Sequence, residues 1–160
     1  MEHPNAALIA RFYDAFARRD AAAMAACYHP DVHFRDPVFE LRGPMAGAMW
    51  RMLCSRGEDL RVQASGIQAD DETGTARWTA DYSFGPSKRP VHNEVEASFT
   101  FRDGLIASHT DRFDFWRWSR QALGLPGVLL GWSPWIRRSV SARANRQLTR
   151  YAERHPEARS

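Results

Sequence analysis

The sequence predicts an α+β fold in which a curved antiparallel sheet, shaped as a cone, packs under three N-terminal helices and is followed by a C-terminal helical extension. Two observations predict it. Apolar residues recur at helical spacing in three segments before Leu60, and from Leu60 to about Trp116 they alternate with a period of two. Helices gathered ahead of a run of antiparallel strands are typical of α+β proteins with helices on one face of the sheet.

The three helices are predicted from residues that favour helix starts. Asn5 and Asp20 are common N-cap residues, and Pro44 suits the first position of a helix. Helices are therefore predicted to begin at these three points. Their apolar residues are predicted to be Leu8, Ile9, Phe12, Ala15 and Phe16 in the first, Met24, Cys27 and Tyr28 in the second, and Met45, Met49, Met52 and Leu53 in the third.

The strands are predicted from alternation and turn residues. A short strand is predicted between the second and third helices, where Val32, Phe34 and Asp36 alternate with polar residues. Four further strands form an antiparallel meander, with a bulge at Gly66 and a tight hairpin turn at Asp103-Gly104. The last strand is predicted to run to about residue 116.

Composition limits the class of protein. The chain has 160 residues, of which 44% are apolar and 26% charged, and this balance excludes a disordered, collagen-like or coiled-coil protein. Aromatic residues make up 12%, enough for a large core or an aromatic-lined cavity. Two cysteines do not form a disulfide scaffold, and no signal peptide or membrane-spanning run is visible. We therefore expect a cytoplasmic protein with reduced thiols.

The charge is concentrated at the C-terminal end. Residues 1–118 hold 14 basic and 17 acidic side chains (−3), whereas residues 119–160 hold 8 basic and 2 acidic side chains (+6). The predicted domain organisation is a cone domain at 1–124 and a basic extension at 125–160, which is too short to bury a core of its own. A basic tail can bind nucleic acid or anionic lipid, but a solvated or packed helix is commoner, and we expect no nucleic-acid partner.

Within the extension, a loop is predicted at Gly124-Leu125-Pro126-Gly127, followed by a basic helix from about Trp135 to Arg154. Four arginines recur at helical spacing on one face of this helix. They are Arg143, Arg146, Arg150 and Arg154. The sequence leaves open whether residues 125–135 form a lid.

Strand parity directs titratable side chains toward the predicted core. Asp36 falls on the side of the core residues of the first strand, and His109 and Asp111 fall on the same side of the last strand as Phe113. Convergent polar groups in an apolar cavity are the usual sign of an active site. Two alternatives stay open: Asp36 ends its strand in an Asp-Pro turn, and His109 with Asp111 forms a structural pair. Asp114 is expected to cap the following turn or to meet a neighbouring arginine.

Three segments carry a family resemblance that covers roughly residues 5–124. They are "RFYDAFARRDAAAMAACYHPDVHFRDPVF", "FTFRDGLIASHTDRFD" and "RQALG". In this order and spacing they resemble the nuclear-transport-factor-like superfamily, which includes ketosteroid isomerase, the SnoaL polyketide cyclases, scytalone dehydratase and limonene epoxide hydrolase. The resemblance implies the cone fold and a homodimer.

The resemblance also implies roles for single residues. Asp111, in a His-x-Asp motif, is similar to the acid/base aspartate of the SnoaL cyclases, and Asp36 matches the catalytic aspartate of ketosteroid isomerase. The isomerase's oxyanion tyrosine falls near Phe12, with Tyr13 next to it, and its second acid falls near Ala97. At these two positions the sequence departs from the isomerase.

These observations predict a cofactor-independent isomerase, cyclase or lyase acting on a small hydrophobic carbonyl compound. Asp111 or Asp36 would take a proton from the carbon next to the carbonyl, and His109 or Tyr13 would stabilise the charge that develops on oxygen. The predicted pocket-lining residues are Phe12, Phe34, Trp78, Phe99 and Phe113. The alternatives are a non-catalytic binding protein for an apolar ligand and a protein-partner module that uses the basic tail.

No cofactor and no metal ion are expected. His29 and His33 have the sequence spacing of a metal pair, but Pro30 keeps the segment extended. Four extended residues span about 13 Å, too far for a single ion.

Overall fold

The computed structural model describes residues 2–159. Its helices are α1 (Pro4–Ala17), α2 (Ala21–Ala26), α3 (Pro44–Arg56), α4 (Phe115–Leu123), α5 (Leu125–Leu130) and α6 (Pro134–Arg154), with a final 3-10 turn at Pro156–Arg159. Its strands are β1 (Tyr28–Arg35), β2 (Glu40–Arg42), β3 (Arg61–Ala69), β4 (Thr73–Phe84), β5 (Arg89–Arg102) and β6 (Leu105–Arg112). They form one sheet in the order β2-β1-β6-β5-β4-β3. The predicted fold class is confirmed.

The antiparallel meander of β3 to β6 has the turns that the sequence predicts. Asp103 and Gly104 both have a positive φ, 56° and 74°, in the tight turn that joins β5 to β6. Gly66, with a φ of 63°, lies where the pairing of β3 with β4 shifts register between Ser65 and Gln68. β1 then pairs parallel to β6, and this pairing places the N-terminal strand between β2 and β6.

Two helix ends differ from the prediction. The N-cap of α1 is His3 instead of Asn5, because Pro4 occupies the first turn and His3 Nδ1 accepts the amide of Asn5 at 3.1 Å. Tyr28 does not belong to α2 but begins β1. The carbonyl of Cys27 accepts the amide of Ile106 at 2.9 Å, and this bond draws the chain into the sheet.

The inward face of α3 also differs in part. Met49 and Met52 are buried as predicted, but Leu53 is 37% exposed. Trp50 is buried instead, at 2% exposure, among the aromatic rings of the core. The face of α3 is therefore set by the bulky indole that fits between the helix layer and the sheet.

The last strand ends earlier than predicted. β6 stops at Arg112, and the Asp114 side chain accepts the amide of Arg117 at 3.0 Å as the N-cap of α4. Phe115 and Trp116 are therefore helical. The expectation that Asp114 caps the turn after the strand is confirmed.

The predicted loop at 124–127 is wrong, because α5 begins at Leu125. Gly127 and Gly131 lie directly against Ser119 of α4, and a Cβ at either glycine would overlap atoms of Ser119. The lack of side chains at these two glycines lets a short helix pack where a loop was expected.

The predicted basic helix is confirmed as α6. Leu148 is 1% exposed and packs into the main core. Ser141 Oγ and Asn145 Nδ2 both donate to the carbonyl oxygen of Val38, at 2.5 Å and 3.4 Å. These contacts hold the extension against the cone.

We expect Gly127→Ala to lower the free energy of unfolding by about 1–3 kcal/mol, the usual cost of overpacking, because the added methyl group would overlap the backbone oxygen of Ser119. Urea unfolding followed by circular dichroism measures this change. Gly47→Ala is the control, since a Cβ there meets Ala25 at an ordinary 3.4 Å and alanine favours the helix. A Gly127→Ala variant as stable as wild type would contradict the packing described.

Candidate functional site

A chain of hydrogen bonds crosses the buried apolar core. Trp50 Nε1 donates to the Tyr28 hydroxyl at 2.8 Å, that hydroxyl meets His109 Nδ1 at 2.8 Å, and His109 Nε2 meets Asp111 Oδ1 at 2.8 Å. Trp78 Nε1 donates to the same Asp111 oxygen at 3.3 Å. His109 is 0% and Asp111 3% exposed. The structure therefore joins the predicted pair to three partners from β1, α3 and β4.

The donors and acceptors of this chain determine where its protons lie. An indole nitrogen can only donate, so the Tyr28 oxygen accepts from Trp50, and the Tyr28 hydrogen is available for donation to the Nδ1 of a neutral His109. The proton of a neutral His109 ring is then on Nε2, and it is donated to the Asp111 carboxylate. Both ring nitrogens of His109 therefore make hydrogen bonds, and Asp111 Oδ1 accepts hydrogen bonds from both His109 and Trp78.

A buried hydroxyl lies close to this chain without a partner. The Tyr13 hydroxyl is the buried side-chain polar atom that has no hydrogen bond within residues 2–159. Burial, and next to it the charge of Asp111, raise the pKa of Tyr13 well above its ordinary value. The second carboxylate oxygen of Asp111, Oδ2, also has no hydrogen bond in the described part of the chain. The unpartnered Tyr13 hydroxyl thus lies within electrostatic range of the Asp111 carboxylate, whose Oδ2 is not fully buried.

Strand register and ring packing hold His109 in place. His109 pairs with Phe99 across β5 and β6, and the two ring centroids are 4.5 Å apart. Phe34 and Phe12 meet the imidazole edge-on at 5.1 Å and 5.4 Å, and Trp50 stacks on it at 6.1 Å. These rings exclude water and leave the imidazole one orientation.

Asp36 lies outside β1, in a turn. Its Oδ1 accepts the amides of Val38 at 2.7 Å and Phe39 at 2.6 Å, so the Asp-Pro turn is the arrangement that the structure shows. Burial raises the pKa of Asp36 to about 6, against the opposing effect of these two hydrogen bonds. The charges of Asp111 and His109 also act on this carboxyl, which places it near the same site.

The pKa of Asp36 predicts a pH-dependent stability. An aspartate in the unfolded chain titrates near pH 3.9, whereas Asp36 in the folded protein titrates near 6, so the folded state keeps a proton that the unfolded chain has released. The stabilisation by this group is complete below about pH 4 and is lost as the pH rises through about 6.

At pH values higher than about 7, we expect the Asp36→Asn variant to have a free energy of unfolding about 2–3 kcal/mol greater than that of wild type. Near pH 4, we expect the two proteins to be equally stable. Asparagine can keep both amide hydrogen bonds through its oxygen. Asp70→Asn is the matched control, because Asp70 Oδ1 accepts two amides in the same geometry but these bonds lower its pKa. Its substitution should lower stability at neutral pH. Urea unfolding at several pH values across this range measures the stability of both proteins. Equal free energies of unfolding for Asp36→Asn and wild type at every pH would contradict the prediction.

A cavity of about 380 Å³ lies where β6 ends, next to Asp111 in the chain. Its walls comprise Arg77, Trp78, Glu94, Val95, Glu96, Arg112, Phe113 and Asp114. Trp78 borders this cavity and also donates to Asp111. Arg77, Glu96 and Arg112 are register neighbours on the exposed face of the sheet, whereas the side chains of Trp78 and Asp111 are on its buried face, so this cavity lies mostly on the opposite side of the sheet from the carboxylate.

The predicted pocket-lining residues fall into two groups. Trp78 and Phe113 border the cavity. Phe12, Phe34 and Phe99, each at most 2% exposed, instead fill the space around the imidazole ring. The narrow interior of the cone is thus occupied by side chains.

Sequence reasoning missed two members of the chain of hydrogen bonds, Tyr28 and Trp50. Tyr28 has the same parity as Val32 and Phe34, and this signal is readable once β1 is taken to begin at residue 28. Trp50 gives no such signal, because the helical period does not identify its partner. Over residues 2–159, no three histidine, cysteine, aspartate or glutamate side chains are grouped so as to hold a metal ion.

The chain is similar to several known proteins. The family model described as "SnoaL-like domain" matches residues 9–109. A comparison with curated proteins gives no significant match. Among solved structures, TsrD from Streptomyces laurentii is 25% identical, with a TM-score of 0.65 over 76% of this chain and 96% of that chain.

Two further structures share the fold. An LEH-like epoxide hydrolase of M. tuberculosis is 22% identical, with a TM-score of 0.64 over 79% of this chain and 95% of that one. A predicted polyketide cyclase of Xanthomonas campestris pv. campestris is 23% identical, with a TM-score of 0.62 over 74% and 96%. At these identities the likeness shows a shared fold.

Proposed function

Because this chain belongs to the SnoaL-like domain family, we propose that it is a cofactor-independent isomerase, cyclase or lyase that acts on a small hydrophobic carbonyl compound. The family and its structural neighbours support a small-molecule pocket protein. The observation that carries the acid/base proposal is the buried, unpartnered hydroxyl of Tyr13 close enough to the buried Asp111 for the charge of that carboxyl to raise its pKa.

The proposed reaction begins with removal of a proton from the carbon next to a carbonyl group. Asp111 takes this proton on Oδ2, while His109 and Trp78 hold Oδ1 in a single orientation. The Tyr13 hydroxyl donates to the carbonyl oxygen as negative charge develops there. The protonated Asp111 then returns the proton to another carbon, or protonates a leaving group or an attacked carbonyl. Isomerisation, elimination and cyclisation need no further group than this acid/base pair.

The sequence predicts that His109 or Tyr13 stabilises the negative charge on the carbonyl oxygen, and the hydrogen bonds of the structure distinguish the two. His109 has both ring nitrogens engaged and therefore acts as a positioning residue for Asp111. Tyr13 keeps a free O–H. Trp78 donates to Asp111, so its indole has to move for a substrate to lie beside that carboxylate.

A two-step experiment tests this function. Wild-type protein is screened by thermal shift against steroids, polyketide fragments, terpenoids and fatty acids, since a ligand at 100 times its Kd adds about 2.7 kcal/mol of stability. Compounds that stabilise the protein are then incubated with it in D₂O, and mass spectrometry measures deuterium uptake next to the carbonyl. Uptake above the buffer rate is the expected result. A tightly bound enolisable ketone that takes up no deuterium would contradict the acid/base proposal.

The second candidate is a non-catalytic binding protein for an apolar ligand. It is favoured by Phe12 and Ala97, which stand near the positions of the two oxyanion donors of ketosteroid isomerase and cannot donate from their side chains. Such a protein would show thermal stabilisation with no deuterium uptake, and Asp111→Asn would leave the ligand's affinity nearly unchanged.

A homodimer stays a prediction of the resemblance, and a cytoplasmic location stays a prediction from the sequence. Sedimentation equilibrium tests the first, with twice the mass of the chain as the expected result.

A further inference from the structure

Large apolar side chains are exposed together near the C-terminal end of the chain. We name as the tryptophan–leucine patch the residues Trp116, Leu125, Val128, Leu129, Leu130, Trp132 and Trp135, which are between 41% and 69% exposed. Two of its tryptophans are fixed against α5, because Trp116 Nε1 donates to the carbonyl of Val128 and Trp132 Nε1 donates to that of Leu129. Contiguous exposed apolar surface of this kind marks an interaction site.

The helix at the centre of the patch, α5, exposes its apolar side chains, whereas an ordinary surface helix buries them. α5 turns Gly127 toward Ser119 of α4 and leaves Leu125 and Leu129 exposed, at 69% and 59%. A surface helix of a globular protein buries its leucines and exposes its polar residues. The close glycine packing thus holds the leucines outward.

The surroundings of the patch are strongly basic. Residues 115–152 contain seven arginines and no acidic residue. At about 100° per residue, Trp135, Arg143, Arg146 and Arg150 lie within about 80° of one another around α6. The three arginines share a cleft of about 430 Å³, and all four side chains are exposed. The indole and this arginine face are therefore on the outward side of one helix.

We propose that the tryptophan–leucine patch and the arginine face of α6 dock this protein on the surface of an anionic lipid bilayer. Tryptophan is favoured at the level of the headgroups, leucine enters the acyl boundary, and arginine binds lipid phosphates. The binding is interfacial. None of the helices described is long and apolar enough to cross a membrane.

Two other occupants fit less well. A second copy on a twofold axis would bring the arginine faces of two α6 helices together, and like charges would repel. Nucleic acid would neutralise the arginines but would leave the exposed leucines of α5 without an apolar partner. Of these three occupants, an anionic lipid surface is the one that offers both kinds of contact at once.

Co-sedimentation with vesicles tests the proposal. The full chain is mixed with vesicles of phosphatidylcholine and phosphatidylglycerol, and with vesicles of phosphatidylcholine alone, over a range of salt concentrations. The patch variant is Leu129→Ser with Trp132→Ser, and the charge variant is Arg143→Gln with Arg146→Gln. Matched controls outside the patch are Leu53→Ser, also an exposed leucine, and Arg61→Gln, an exposed arginine of β3. Circular dichroism checks that each variant is folded.

Binding to the anionic vesicles alone, weakened by salt, is the expected result. The charge variant should bind about 30-fold more weakly, from about 1 kcal/mol for each basic residue near an anionic surface. The patch variant should lose binding, and the two controls should bind as wild type does. The proposal would be overturned if the protein did not bind the anionic vesicles or bound neutral vesicles equally well. It would also be overturned if the two control variants lost as much vesicle binding as the patch and charge variants. A dimer of the wild-type protein that dissociates in the patch variant would also overturn the proposal. So would a protein that binds no vesicles but binds nucleic acid, if only the charge variant loses the nucleic-acid binding.

Discussion

Replacing Asp111 with asparagine is expected to slow deuterium exchange next to the carbonyl by about 10²–10⁴-fold. The amide oxygen of asparagine can still accept from His109 and Trp78, so the network and the fold are kept. The amide nitrogen that replaces Oδ2 cannot take up the proton. The rate constant for exchange at saturating ketone, measured by mass spectrometry, shows the loss.

Asp103→Asn is the matched control for Asp111→Asn. Asp103 lies in the exposed hairpin turn with a φ of 56°, a conformation that asparagine adopts readily. This variant should exchange as fast as wild type. If Asp111→Asn, with an unchanged melting temperature, kept the wild-type rate, Asp111 would not be the base. A loss of rate in Asp36→Asn alone would then assign the proton transfer to Asp36.

Tyr13→Phe is expected to change stability and activity in opposite directions. The Tyr13 hydroxyl is buried without a partner, so its removal should raise the free energy of unfolding by about 1–3 kcal/mol. The same hydroxyl is the proposed donor to the developing oxyanion, and loss of one such donor lowers kcat by about 10²–10³-fold. Urea unfolding measures the first effect and deuterium exchange the second.

Tyr82→Phe separates this prediction from a general effect of removing a phenol. The Tyr82 hydroxyl accepts from Trp118 Nε1 at 2.8 Å, so its loss leaves a donor unpaired. This variant should be less stable than wild type and equally active. A Tyr13→Phe variant that is more stable and fully active would mean that Tyr13 is an ordinary core residue with an orphaned hydroxyl. A less stable Tyr13→Phe variant would mean that its hydroxyl has a partner in solution.

Much of the fold could be predicted, because apolar spacing reports local geometry. The meander, the bulge at Gly66, the turn at Asp103-Gly104 and the basic helix were all readable from the sequence. The errors occur where a contact distant in sequence decides the outcome. The end of α2 is set by a bond from Ile106, and α5 replaces a loop because its glycines fit against Ser119.

The candidate site was predictable only in part. The parity of β6 places His109 and Asp111 on the buried face, and this holds because side chains alternate strictly along a strand. Asp36 shows the limit of that rule, since parity has no meaning once the strand has ended at Arg35.

The sequence by itself determined the order of α1, α2, β1, α3, the β3–β6 meander and α6, the buried face of most of these elements, and the concentration of arginine in the extension. Only the tertiary structure decided that Tyr28 meets His109 across 81 positions of the chain and that Trp78 meets Asp111 across 33. It alone decided that Tyr13 is left without a partner and that α5 turns its leucines outward. The physical reason is that periodicity reports which side of an element avoids water, whereas a hydrogen bond across the core depends on how separate elements pack together.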